Sequence, residues 1–113
     1  MEVRAVAKNI RRSPRKVRLV VDQVRGRSVN EALAILTFMP QAAAKDVFKV
    51  VKSAASNAEN NFELDINDLY VHRIFVDEGP TLKRFKARAH GRVAPRLRRS
   101  SHITAVVQEK GAE

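Results

Sequence analysis

The sequence has no cysteine and no tryptophan, little aromatic content at 5%, and only four glycines and four prolines in 113 residues. Without thiols there is neither a disulfide scaffold nor a thiolate metal site, and a reducing cytosol is compatible with that absence. Average glycine and proline usage sets aside collagen-like and low-complexity classes. No apolar run approaches the ~18 residues a bilayer demands, and Met1-Glu2-Val3-Arg4 lacks the apolar core of a secretion signal. The expectation is a soluble, intracellular protein. The most telling scarcity is one of sign. From Gly79 to Gln108 there is not a single Asp or Glu.

What is present is positive charge on a foldable chain. There are 22 Lys and Arg against 12 Asp and Glu, a net +10, with 44% hydrophobic residues. That length supports one modest core, hence a single globular domain over 1–113 with an extension at about 79–101. The charge is unevenly distributed: residues 1–27 carry +7, residues 28–78 carry −4 and residues 79–113 carry +7. Both ends suit a polyanion. The acid-free stretch holds Lys83, Arg84, Lys86, Arg88, Arg92, Arg96, Arg98 and Arg99. Arginine bonds phosphate through a planar fork and stacks on bases, which favours nucleic acid over a lipid surface. A merely soluble surface normally mixes both signs.

Periodicity supplies the frame. Val3 to Ile10 alternates as a half-buried strand, Val3, Ala5 and Ala7 on one side with Arg4 and Lys8 on the other. Ser13-Pro14 opens a helix, with the serine hydroxyl as its cap, Val17, Val20, Val21 and Val24 on one face and Arg15, Lys16, Arg18 and Arg25 on the other, ending at Gly26. Ser28 to Glu31 is a capping box for a second helix stopping near Pro40. A third spans Gln41 to Asn60, with Ala43, Val47, Val50, Ala54 and Ala58 as a close-packing seam and the polar cluster Asn57 to Asn61 closing it. The period then falls to two. Leu69, Val71 and Phe75 alternate with Tyr70, His72, Ile74 and Val76, and Ile103, Ala105 and Val107 alternate with Thr104 and Val106. An antiparallel pair of strands thus flanks a cationic joining segment too long for an idle loop, which reads as a projecting two-stranded arm completed by what it binds.

Chemical readings fare poorly. His72, His90 and His102 have no second ligand at helical spacing and no orienting acid, so neither a zinc site nor a general base is signalled. Asp65, Asp68, Asp77 and Glu78 form the one carboxylate cluster a metal-dependent nuclease could use, although both pairs read equally well as turns. The four glycines are isolated, so no phosphate-cradling loop exists. A valine face without Trp or Phe anchors fits a core better than a membrane surface. A DNA-compacting basic protein is the strongest rival, since net charge alone does not separate duplex DNA from RNA. A thin cationic ribbon suits the crevices of irregular folded RNA better than a single groove.

Four fragments in order carry a resemblance: Ser13-Pro14-Arg15-Lys16-Val17-Arg18-Leu19-Val20, Ala54 to Asn61, Val76-Asp77-Glu78-Gly79-Pro80, and Arg99-Ser100-Ser101-His102-Ile103. With them the chain resembles, over essentially its whole length, the bacterial large-subunit (50S) ribosomal protein family numbered twenty-two. The resemblance implies an α+β fold, three helices packed on a three-stranded antiparallel sheet, with a long extended β-hairpin. It implies a non-catalytic constituent of the cytoplasmic ribosome without cofactors, whose partners are the large-subunit (23S) rRNA, other large-subunit proteins and the nascent polypeptide in the exit tunnel, with no membrane and no homo-oligomer. Carried over by position, the hairpin arms are Gly79 to Ala87 and Arg96 to Ser101. The tunnel-lining tip is Arg88, Ala89, His90, Gly91, Arg92, Val93, Ala94 and Pro95. The residues expected to meet RNA are Arg11, Arg12, Arg15, Lys16 and Arg18 near the first helix, then Lys83, Arg84, Lys86, Arg88, His90, Arg92, Arg96, Arg98, Arg99 and His102.

Overall fold

Alternation in the first strand and helical periodicity in the next fifty residues resolve into β1 (Glu2–Ile10), α1 (Pro14–Val21), α2 (Val29–Phe38) and α3 (Ala43–Phe62). A short 3-10 turn, Ile66–Asp68, leads into β2 (Leu69–Glu78), β3 (Leu82–Ala87), β4 (Val93–Arg98) and β5 (Ser101–Glu109). The computed structural model describes residues 2–79 and 100–109 in full and the backbone of 82–87 and 93–98.

The main sheet has the order β1-β5-β2, antiparallel throughout, and the three helices cover one face. Three register rows point toward them: Val3, Val107, Val71; Ala5, Ala105, Ile74; and Ala7, Ile103, Val76. The helices answer with small and branched side chains. Val17, Val20, Val21 and Val24 from the α1 segment meet Val29, Ala32 and Leu36 of α2 and the α3 stripe Ala43, Val47, Val50, Ala54 and Ala58, all buried. Side chains of that size let helix and sheet approach closely, which is how a short chain fills a core without Trp.

The helix ends depart from expectation in instructive ways. Ser13 makes no side-chain cap bond, and its carbonyl instead accepts from Lys16 and Val17 at 3.1 and 3.2 Å. α1 ends at Val21, after which the chain tightens through bonds from Gln23 to Val20 and from Val24 to Val21. Gly26 follows at φ +81°, a left-handed conformation that favours glycine, and its amide bonds the Val71 carbonyl at 2.9 Å. Ser28 does cap α2, accepting from the Glu31 amide at 3.3 Å, but the Glu31 carboxylate turns to Arg27 at 2.6 Å instead of closing the box. The asparagines at 57 to 61 do not stop α3, which runs to Phe62 and is closed by Glu63 at φ 56°.

In β2 the simple alternation fails. A bulge between Val71 and Arg73 shifts the phase, so Ile74 and Val76 are buried while Phe75 is 40% exposed on the other face. The acids Asp77 and Glu78, expected in a turn, are strand residues opposite His102 and Ser101.

Candidate nucleic-acid interface

β3 and β4 pair only with each other, as a two-stranded ribbon distinct from the main sheet. The ribbon is rooted where both connecting strands leave that sheet together: the Gly79 amide donates to the Ser100 carbonyl at 2.9 Å. A Cβ on Gly79 would stand 2.5 Å from Ser100 Oγ and 3.3 Å from the Ser100 carbonyl carbon, so any larger residue at the root obliges Ser100 to shift. Ser101, expected in the hairpin arm, is the first residue of β5, paired with Glu78 and donating its hydroxyl to the Arg12 carbonyl at 2.6 Å. Val93, Ala94 and Pro95, expected in the tip, belong to β4 opposite Ala87, Lys86 and Phe85. Pro95 is tolerated because each strand of a ribbon has a free edge. The rest of the expected tip, 88–92, lies outside the described residues, as does Arg99.

The ribbon register places Arg84 opposite Arg96, Lys83 opposite Leu97 and Leu82 opposite Arg98. Like charges directly across a ladder repel, and a two-stranded ribbon alone is marginal. The molecule measures 64 × 26 × 21 Å with a radius of gyration of 17.2 Å, against roughly 13 Å for a compact domain of this length.

On the body, the residues expected to meet RNA divide into two groups. Arg11, Arg15 and Lys16 are exposed and make no ion pair among the described residues. Three others serve the fold. Arg12 pairs with Asp46 on α3. Arg18 Nη2 bonds the Val76 carbonyl at 3.1 Å, covering the outer edge of β2, and His102 Nδ1 accepts from the Asn9 amide at 3.1 Å. Asn9 stands at φ 58° in the irregularity where β1 leaves β5. Arg25 also covers the β2 edge, reaching the Ile74 carbonyl at 2.9 Å.

One surface escaped the sequence reading. On the sheet face away from the helices, Arg4 and Arg73 flank Val106, and Val6 and Phe75 flank Thr104. Val6 and Phe75 are 46% and 40% exposed. Arg73 is tied to Glu2 at 2.8 Å, whereas Arg4 makes no ion pair among the described residues. The alternation of β1 signalled Arg4 and Lys8, but only the pairing with β5 and the β2 bulge could reveal their company. The four carboxylates weighed for catalysis do not converge. Asp65 and Asp68 precede β2 and Asp77 and Glu78 end it, about 25–30 Å apart along a ten-residue strand.

Comparison with known proteins agrees with this arrangement. The family described as ribosomal protein L22p/L17e matches residues 5–108. A relative named large ribosomal subunit protein uL22, from Clostridium novyi (strain NT), is 57% identical over 110 residues, covering 97% of this chain and 99% of its own. With the match running from the first strand through the ribbon and into the last strand, the chain belongs to the ribosomal protein L22p/L17e family.

Proposed function

We propose that this protein is a structural, non-catalytic constituent of the large ribosomal subunit in the cytoplasm, holding 23S rRNA with two cationic elements of one molecule. The outer side of α1 and its approach, Arg11, Arg15 and Lys16, lies against one stretch of sugar-phosphate. The β3–β4 ribbon, with Lys83, Arg84, Lys86, Arg96 and Arg98, enters a crevice of the folded RNA. Its far end, residues 88–92, meets the wall of the polypeptide exit tunnel and the nascent chain within it. The whole chain acts as one domain carrying one extension. The observation that carries this reading is that the cationic segment between β2 and β5 pairs with itself, β3 with β4, instead of joining the sheet whose strands it connects.

No proton-transfer or nucleophilic constellation is needed for such a role. Binding is driven by counterion release as lysines and arginines neutralise phosphates, while the ribbon shape selects folded RNA over a regular duplex. The test is a titration of the full chain with a large-subunit rRNA fragment and with duplex DNA of equal length at matched salt. Binding to the rRNA fragment at least about tenfold tighter is expected, and equal affinity would mark a DNA-compacting protein instead. Incubation of RNA with the protein and Mg²⁺ should leave the RNA intact, and cleavage above a buffer control would overturn the non-catalytic assignment.

A further inference from the structure

The two edges of the main sheet are treated differently. Along β2 the protein covers its own edge. Val71 bonds Gly26 and Arg27, and the carbonyls of Ile74 and Val76 are held by Arg25 and Arg18. Because Val71 thus faces away from β5, its register partner Val107 turns its backbone groups toward β1, where it pairs with Val3. Val3, Ala5 and Ala7 therefore spend their amides and carbonyls on β5, and Glu2, Arg4 and Val6 direct theirs outward. Of these outward groups only the Arg4 carbonyl has a partner among the described residues, Asn57 Nδ2 on α3 at 3.4 Å.

Beside this edge runs a groove of about 290 Å³ between β1 and α3, lined by Ala7, Ile10 and Val50 as well as Lys49 and Ser53. Its acid, Asp46, is already neutralised by Arg12. Lys49 in the groove, Arg4 on the opposite face of β1, and Lys8 further along that strand are exposed and make no ion pair among the described residues.

We propose that the β1 edge and this groove seat an extended, acidic segment of another protein of the same particle, added as a fourth strand of the sheet. Backbone pairing gives such a segment affinity, and the groove beneath takes alternate side chains. Lys49 on one side of the edge and Arg4 on the other favour an acidic occupant. A second copy of this chain, at net +10, meets repulsion instead. Phosphate, which only accepts hydrogen bonds, leaves the outward carbonyls without donors.

The inference rests on the ribosomal reading above, and its test separates the two. Large subunits are assembled with the full chain carrying a photoreactive diazirine lysine in place of Lys49, then irradiated. Expected is incorporation together with a protein adduct mapped to a segment of alternating polarity bearing Asp or Glu. Val6→Pro removes an outward amide that β5 does not use, and it should lower the adduct yield about tenfold with incorporation unchanged. Ser53→Asp, which sets an acid in the groove without touching the strand, should lower it severalfold, so a poorly folding proline variant does not leave the matter open. An rRNA adduct, no adduct, or yields indifferent to both substitutions would overturn the proposal while the ribosomal role stands. Failure of the unsubstituted chain to incorporate would overturn both.

Discussion

Arginine illustrates what a single residue's neighbours decide. Arg12, Arg18 and Arg25 are chemically identical to Arg11 and Arg15, yet the first three hold a helix carboxylate or strand carbonyls. The Arg15, Lys16 and Arg18 face of α1 was legible from its 3.6 period, but the partners that Arg12, Arg18 and Arg25 find on α3 and β2 lie 34, 58 and 49 residues away in sequence and leave no local signal. Substituting Arg11, Arg15 and Lys16 together with Ala should weaken rRNA binding and flatten its logarithmic salt dependence by about two, at roughly 0.7–0.9 per phosphate contact. The melting temperature should move by less than about 2 °C, since none of the three side chains has a partner among the described residues. Arg18→Ala should behave differently, because it leaves the Val76 carbonyl uncovered at a strand edge. Thermal melting should register a stability loss of about 1 kcal/mol beside a smaller loss of affinity.

At the level of elements, strong periodicity was read correctly and its interruptions were not. The valine face of α1 and the seam of α3 follow from spacing alone, and their positions are buried as expected. The β2 bulge is invisible to a period-two reading, because one extra residue inverts every assignment beyond it; Phe75 therefore emerged on the exposed face. Asn57, Asn60 and Asn61 are poor helix formers, yet α3 passes through them because Ala54, Ala55 and Ala58 bury its last turns. Tertiary packing overrides propensity there. Ile103, fully buried in the central strand between Ala7 and Val76, should cost about 2–5 kcal/mol on Ile103→Ala, read by denaturant unfolding. At the ribbon root, Gly79→Ala forces Ser100 aside. It should weaken rRNA binding several-fold while leaving the helical circular dichroism signal unchanged.

Across the whole molecule, charge and shape are organised together. The mildly acidic middle of the sequence builds α2, α3 and all of β2, whereas the basic ends supply α1, the ribbon and the strands at the centre and one edge of the sheet. Charge segregation and the α+β class were both readable in the sequence, as was the ribbon's existence. The limits of the ribbon were not, because Ser101 and Val93 to Pro95 look alike as loop or strand until their partners are known. The decisive measurement is the salt dependence of rRNA affinity for the full chain against a variant with Lys83, Arg84, Arg88 and Arg92 all replaced by Ala, accompanied by thermal melting of each. A ribbon that functions by neutralising phosphate predicts weaker binding, a salt slope lower by about three and an unchanged melting temperature. Unaltered affinity and slope, or a large fall in melting temperature, would contradict it.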